Sequence, residues 1–209
     1  MLFTPGPTAV PPEVREVMSE PQPNSAVQSE FADLYDQLCE NLQAVYDTDH
    51  DVIVPGGEGI LGLEAAIASL VAPGDRVLCI SNGIYGDGFA DFVADYDGEA
   101  ELVSAAYDAG YDLDAIEDAL AAAEEAGEPF KIATLVHCET PTGTLNDLSP
   151  VLDLLEEYDV LSVVDAVSSL GGTPVPTDRI DVCLGASPQG FSAPPGLTTA
   201  PPSAPARAT

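Results

Sequence analysis

Lys131-Ile132-Ala133-Thr134-Leu135-Val136-His137, then an amphipathic stretch over 148–158, then Val160-Leu161-Ser162-Val163-Val164-Asp165: this segment decides the fold. The two apolar runs are short and rich in β-branched residues, so they read as strands. The stretch between them carries apolar side chains at helical spacing and reads as a helix. Strands alternating with helices of this length make α/β units on a mostly parallel sheet. The pattern extends in both directions. Toward the N-terminus it gives strands at 52–54, 76–80 and 101–104. Between and after them come helices at 59–70, 85–95 and 112–126, the last ended by Gly127 and Pro129. Toward the C-terminus a further strand is expected at 181–184.

Two helices precede this core. Residues 31–46 place Phe31, Leu34, Tyr35, Leu38, Leu42, Val45 and Tyr46 at spacings of three and four, an amphipathic helix. The Pro-rich start turns helical near 12–19, where Pro12 suits a first helical position and Glu13 the positive end of the dipole. The domain reading is an arm and first helix over 1–30, a ligand-binding domain over 31–197, and a disordered tail over 198–209. From Val182 onward there is no Asp or Glu, and the last residues are mostly Pro, Ala, Thr and Ser. Such a composition cannot bury enough apolar surface to order itself. The tail reads as a truncation product or a shifted reading frame.

The chain has 209 residues, 45% of them hydrophobic, enough for one sizeable core. Five basic residues face 36 acidic ones, for a net charge of −31. Self-repulsion on this scale opposes compaction in dilute salt, and concentrated salt screens it. The composition is therefore that of a halophilic protein made for a salty cytoplasm. Basic residues are too few to neutralise phosphates, which argues against nucleic acid and anionic membranes as partners. Cys39, Cys79, Cys138 and Cys183 are widely spaced, without a metal or redox pattern. No basic region precedes an apolar core at the start, as a signal peptide would require, and no apolar run approaches the roughly 18 residues of a membrane helix. A cytoplasmic location is expected.

Ligands in open parallel sheets bind beyond the carboxyl ends of the strands, and four sets of polar residues fall there. Pro55-Gly56-Gly57-Glu58-Gly59-Ile60-Leu61-Gly62 leads into a helix whose free N–H groups suit a phosphate. Gly57, Gly59 and Gly62 also spell the dinucleotide fingerprint. That reading needs an acidic residue after the next strand, where Ser81-Asn82-Gly83 stands instead. Tyr85 follows that strand and suits either ring stacking or helix-start packing. Thr140 and Thr142, in Cys138-Glu139-Thr140-Pro141-Thr142-Gly143, offer hydroxyls to a cofactor or form a plain turn. His137 at a strand end is more often structural than catalytic. The most telling residue is Asp165, a carboxylate delivered by an apolar strand to the carboxyl edge of the sheet. Such a charge is costly there without a partner. A protonated pyridine nitrogen is one such partner; capping of the following turn is the alternative.

Together these segments resemble the class V pyridoxal-phosphate aminotransferases of the alanine–glyoxylate/serine–pyruvate type. Phe3-Thr4-Pro5-Gly6-Pro7-Thr8 is similar to the family's start. Leu63-Glu64-Ala65-Ala66, Pro73-Gly74-Asp75 and Asn82-Gly83-Ile84-Tyr85-Gly86 resemble its next blocks. His137-Cys138-Glu139-Thr140-Pro141-Thr142-Gly143 resembles its Ser/Thr loop, and Val164-Asp165-Ala166-Val167-Ser168-Ser169-Leu170-Gly171-Gly172 its pyridine-nitrogen segment. Ser192-Ala193-Pro194-Pro195-Gly196-Leu197 resembles the block after its lysine. The resemblance covers about residues 2–198.

The resemblance implies a fold type I large domain: a mostly parallel sheet with helices on both faces, without the C-terminal small domain. It implies that Glu58, Gly59 and Ile60 lie at the phosphate turn of pyridoxal 5'-phosphate. It further implies that Tyr85 stacks on the ring, Thr140 bonds the cofactor, Asp165 pairs with the ring nitrogen, and Val167 packs on the other face. A homodimer using a small amino acid and a 2-oxo acid is implied as well. Two departures stand out. Glu58 replaces the usual Ser, and a carboxylate repels a phosphate unless it turns away. Gln189, in Ser187-Pro188-Gln189-Gly190, occupies the lysine position, and a carboxamide forms no Schiff base. The only lysine, Lys131, starts a strand, away from the edge where parallel sheets place active sites. The expected outcome is a chain that binds the cofactor weakly and does not transaminate. A non-catalytic fragment or dimer partner of a full-length paralogue, and a dinucleotide-binding enzyme, are the alternatives.

Overall fold

The structure, a computed structural model, describes residues 4–203 and Ala206. Phe3 of the N-terminal motif and Arg207 of the tail lie outside the described residues. Helices α1 (Pro12–Met18) and α2 (Ser29–Tyr46) come first, and α3 (Gly59–Leu70) follows the glycine-rich turn. Then β1 (Arg76–Ser81), α4 (Ile84–Asp95), β2 (Glu99–Ser104), α5 (Leu113–Ala126) and β3 (Ile132–Val136) alternate. A small antiparallel hairpin, β4 (Cys138–Glu139) and β5 (Thr144–Leu145), interrupts them. The chain continues through α6 (Ser149–Glu157), β6 (Leu161–Asp165), β7 (Val182–Ala186) and β8 (Thr198–Thr199).

The main sheet has the order β2-β1-β3-β6-β7-β8, parallel except for β8. Every residue of β3 and β7 is buried, as expected for strands covered on both faces. Strand β2, at the edge, alternates instead and presents Glu99 and Glu101, charges that discourage edge-to-edge pairing. Within β1 the side chains separate by face. Leu78 and Ile80 join Ile116, Leu120, Val151 and Leu155 of α5 and α6, with Leu42 and Tyr46 of α2. Val77 and Cys79 join Leu63 and Ile67 of α3, and Phe89 and Val93 of α4. The period of two along a strand thus builds two cores, one on each face. Asp112 caps α5 by accepting the Ala115 N–H, and Gly127 (φ 72°) ends that helix in the left-handed conformation.

Two expectations need correction. Residues 52–54 form no strand of the sheet; Ile53 makes an isolated antiparallel bridge to Ala200. Pro55 has no N–H to donate, so it separates this bridge from a second isolated one, Gly56 to Leu197, although Val52 is buried in the core as an apolar residue should be. The expected disordered tail does not begin at 198. Thr198 and Thr199 pair with Ala186 and Gly185, both are buried, and Ser203 bonds Asp181 through backbone and side chain. Edge strand β7 has backbone groups that need partners, and these threonines supply them. Tyr46, fully buried, donates its hydroxyl to the Thr199 carbonyl at 3.0 Å and lies 2.7 Å from Thr199 Oγ1.

Three basic residues are tied to carboxylates: Arg76 to Glu101, Lys131 to Asp75, and Arg179 to Asp153. Most of the acidic surface therefore faces like charge. The unfolding midpoint in denaturant should rise as KCl increases from about 0.1 M to above about 1 M, where screening shortens from about 10 Å to about 3 Å. Tyr46→Phe should cost about 1–2 kcal/mol in urea unfolding, because it leaves the buried Thr199 groups without their partner.

Candidate active site

The loops that leave the carboxyl ends of β1, β3, β6 and β7 meet the turn before α3 around one cleft of about 160 Å³. All eight residues expected at a site line it: Glu58, Gly59, Ile60, Tyr85, Thr140, Asp165, Val167 and Gln189. Residues from positions 58 to 189 converge because a parallel sheet aligns its strand ends, so that each following loop emerges on one edge.

Asp165 is the last residue of β6 and is 6% exposed. One carboxylate oxygen accepts the Val167 N–H at 2.8 Å, and no cation among the described residues pairs with the group. Burial raises its pKa to about 7, and the nearby Glu139 carboxylate adds to the rise. Val167 reaches the cleft two residues on, and its methyl groups pack against the backbone of Gly59, where a Cβ would lie 2.9 Å from one of them. Only glycine lets α3 start this close to the β6 loop. The Thr140 hydroxyl is hydrogen-bonded to Ser168, in the loop that follows Asp165.

Glu139 is fully buried and was not expected at the site. Its Oε1 accepts the Tyr85 N–H at 3.4 Å, while Oε2 has no hydrogen-bond partner among the described residues. It caps the first turn of α4, which has no cap of its own at Gly83. Burial raises its pKa. Gly83 makes room for it, since a Cβ there would collide with the Glu139 side chain. Its place between Cys138 and Thr140 was visible in the sequence, but no local signal says that a strand residue caps a distant helix.

The N-terminal segment also reaches the cleft, through Gly6 and Pro7. Thr8 fastens it, donating its N–H to the Pro188 carbonyl at 2.8 Å and its hydroxyl toward the carbonyls of Pro188 and Gln189. Gly6 lies against the Gln189 side chain, with no space for a Cβ. His137 is structural in its contacts: it is buried, 2.9 Å from the Ser169 hydroxyl through Nδ1, and its pKa is lowered by burial. Thr142 does not line the cleft; its hydroxyl bonds Glu139 and Thr144 within the β4–β5 turn. Lys131 lies at the opposite, amino-terminal edge of the sheet, held 2.7 Å from Asp75.

The model for "Aminotransferase class-V" matches residues 1–201. An uncharacterised aminotransferase of Methanocaldococcus jannaschii is 35% identical over 199 residues, 94% of this chain and 50% of that protein. A pyridoxamine–pyruvate transaminase of Mesorhizobium japonicum is 33% identical over 170 residues, 80% of this chain and 42% of the relative. The crystal structure of an alanine–glyoxylate aminotransferase from Nostoc superposes with a TM-score of 0.90 at 31% identity, covering 98% of this chain and 54% of that one. The chain spans about half the length of the curated relatives it matches.

Asp165 sets a pH dependence. Its folded pKa of about 7 lies above the ordinary value of 3.8, so the folded chain holds a proton that the unfolded chain releases. That contribution is complete at pH values below 3.8 and is lost as pH rises to about 7. Asp165→Asn should therefore unfold at higher urea than the parent at alkaline pH. The difference should be a few kcal/mol, at about 1.4 kcal/mol per pKa unit, and should shrink toward pH 5.

Proposed function

The chain belongs to the class V aminotransferase family, whose members depend on pyridoxal phosphate, and from that premise we propose that it is a family large domain that seats the cofactor ring without anchoring it covalently. The observation that carries this reading is Asp165, a buried carboxylate with no cation at the carboxyl end of a central strand. A protonated pyridine nitrogen is the partner that offsets its burial.

The residues present fit the ring part of the cofactor. Asp165 would hold the proton on the ring nitrogen, Thr140 would offer its hydroxyl, and Tyr85 and Val167 would take the two faces. Once bound, the cofactor supplies an electron sink for loss of a proton from the amino acid. Gln189 lines the cleft, and by the resemblance it stands at the family's lysine position. A carboxamide has no nucleophilic amine and accepts no proton at its nitrogen near neutral pH. It therefore cannot tether the ring or move the substrate proton, so no transamination step is derived for this chain. The parent reaction would exchange an amino group between a small amino acid, such as alanine or serine, and a 2-oxo acid such as glyoxylate or pyruvate.

A homodimer in a salty cytoplasm is the assembly and setting that suit the sequence. Leu34 and Val45 of α2 and Ile60 and Leu61 of α3 are exposed, and exposed apolar side chains are available to intersubunit contacts. Exposed apolar side chains also suit the second reading, a non-catalytic partner of a longer paralogue. Co-purification with such a paralogue would favour that reading. The dinucleotide alternative has a competing explanation. Gly62 lies against the Thr198 side chain, so this glycine serves helix packing. Asn82, where a ribose-binding acid would follow β1, is buried and bonded to Ala109 and Asn146.

Titration of the purified chain with pyridoxal phosphate in high salt tests the proposal. No visible band of a lysine-linked cofactor should appear, and borohydride should attach no cofactor mass. Gln189→Lys should produce both signals. A reducible linkage at Lys131 in the parent would overturn the assignment.

A further inference from the structure

The cleft matches the ring of the family's cofactor but not its phosphate. Its two charged lining residues, Glu58 and Asp165, are both acidic, and among the described residues no Lys, Arg or His lines it. A helix N-terminus ordinarily attracts a phosphate through its free N–H groups. Here the residue preceding α3 is itself a carboxylate. Glu58 holds the N-cap position, makes no side-chain hydrogen bond to its own helix, and stays exposed at the cleft. A phosphate dianion entering this turn meets a like charge with no cation nearby to offset it. A hydroxymethyl group in the same place would donate a hydrogen bond to that carboxylate. The second observation is independent. Asp165 is more than nine-tenths buried, lines the same cleft, and has one oxygen without a partner among the described residues.

We infer that the cleft takes an unphosphorylated pyridine ligand of the pyridoxamine class, bound without a covalent link, in preference to its phosphate ester. The protonated ring nitrogen would meet Asp165, and the hydroxymethyl arm would meet Glu58. A cationic aminomethyl group requires no lysine, so Gln189 is no obstacle to it. One relative is by name a pyridoxamine–pyruvate transaminase, and its pyridoxamine carries no phosphate. For this chain the inference stands on Glu58, and it rests on the reading of Asp165 as the ring seat.

Isothermal titration calorimetry with pyridoxamine and with pyridoxamine 5'-phosphate tests it, on the parent, Glu58→Ser and Asp165→Asn. The parent should bind pyridoxamine about tenfold more tightly than the ester or better, from like-charge repulsion at close range in a partly wet cleft. Glu58→Ser removes one charge of a net −31, so loss or reversal of the preference in that variant reports the local contact and not the overall charge. Asp165→Asn should weaken both ligands alike. If the parent binds the ester as tightly as pyridoxamine, or Glu58→Ser leaves the preference unchanged, the inference fails while the ring seat stands. If neither ligand binds the parent, the ring seat fails and takes the inference with it.

Discussion

A carboxylate buried at the end of a central parallel strand is the constraint on which the rest of this site depends. Asp165 leaves β6 beneath the loops of its neighbouring strands, with one backbone N–H as its hydrogen-bond partner. Taking a charge out of water without a partner is unfavourable, and the fold relieves this by keeping the group protonated up to about pH 7. Stability is thereby given up at the place where a ligand would restore it, a pattern expected of binding sites. Tyr85, Thr140 and Val167 matter because they surround that carboxylate.

The scaffold holds this arrangement by close approach. Gly59 lets α3 come against Val167, Gly83 admits the Glu139 side chain beneath α4, and Gly6 lets the N-terminal segment lie over Gln189. Glu139 joins the β3 and β1 loops through the first turn of α4, so the position of Tyr85 depends on a residue fifty-four positions away. On the far side of the sheet, Tyr46 clamps Thr199 and closes the edge beyond β7. Two cores packed on opposite faces of one sheet make these loop positions rigid, because close-packed interiors do not deform gradually.

The electrostatics divide in the same way. The single lysine serves an ion pair at the amino-terminal edge, Arg76 reaches Glu101 and lies over the Phe130 ring, and Arg179 anchors Asp153. These basic groups are placed in the scaffold, and among the described residues the charged groups lining the cleft are both acids.

The short apolar, β-branched runs at 132–136 and 161–165 determined strands, and the period near 3.6 in residues 31–46 determined a helix, from local side-chain order alone. Of the residues that line the cleft, the glycine-rich turn at 58–59, Tyr85, Thr140 and Asp165 were candidates from their place after apolar runs, because strand ends in a parallel sheet share one edge, while Ile60, Val167 and Gln189 came from the family resemblance. Three features were decided only by the tertiary structure. Thr198 and Thr199 became a strand because β7 had an unpaired edge, whatever the composition around them. Residues 52–54 failed to become one because Pro55, which lacks an N–H, separates the isolated bridges Ile53–Ala200 and Gly56–Leu197. Glu139 became the cap of a helix fifty residues earlier in the chain because folding placed its carboxylate against free N–H groups. Sequence spacing sets which way a side chain points along its own element. Which backbone groups remain unpaired, and what lies within reach of them, is settled only when distant segments meet.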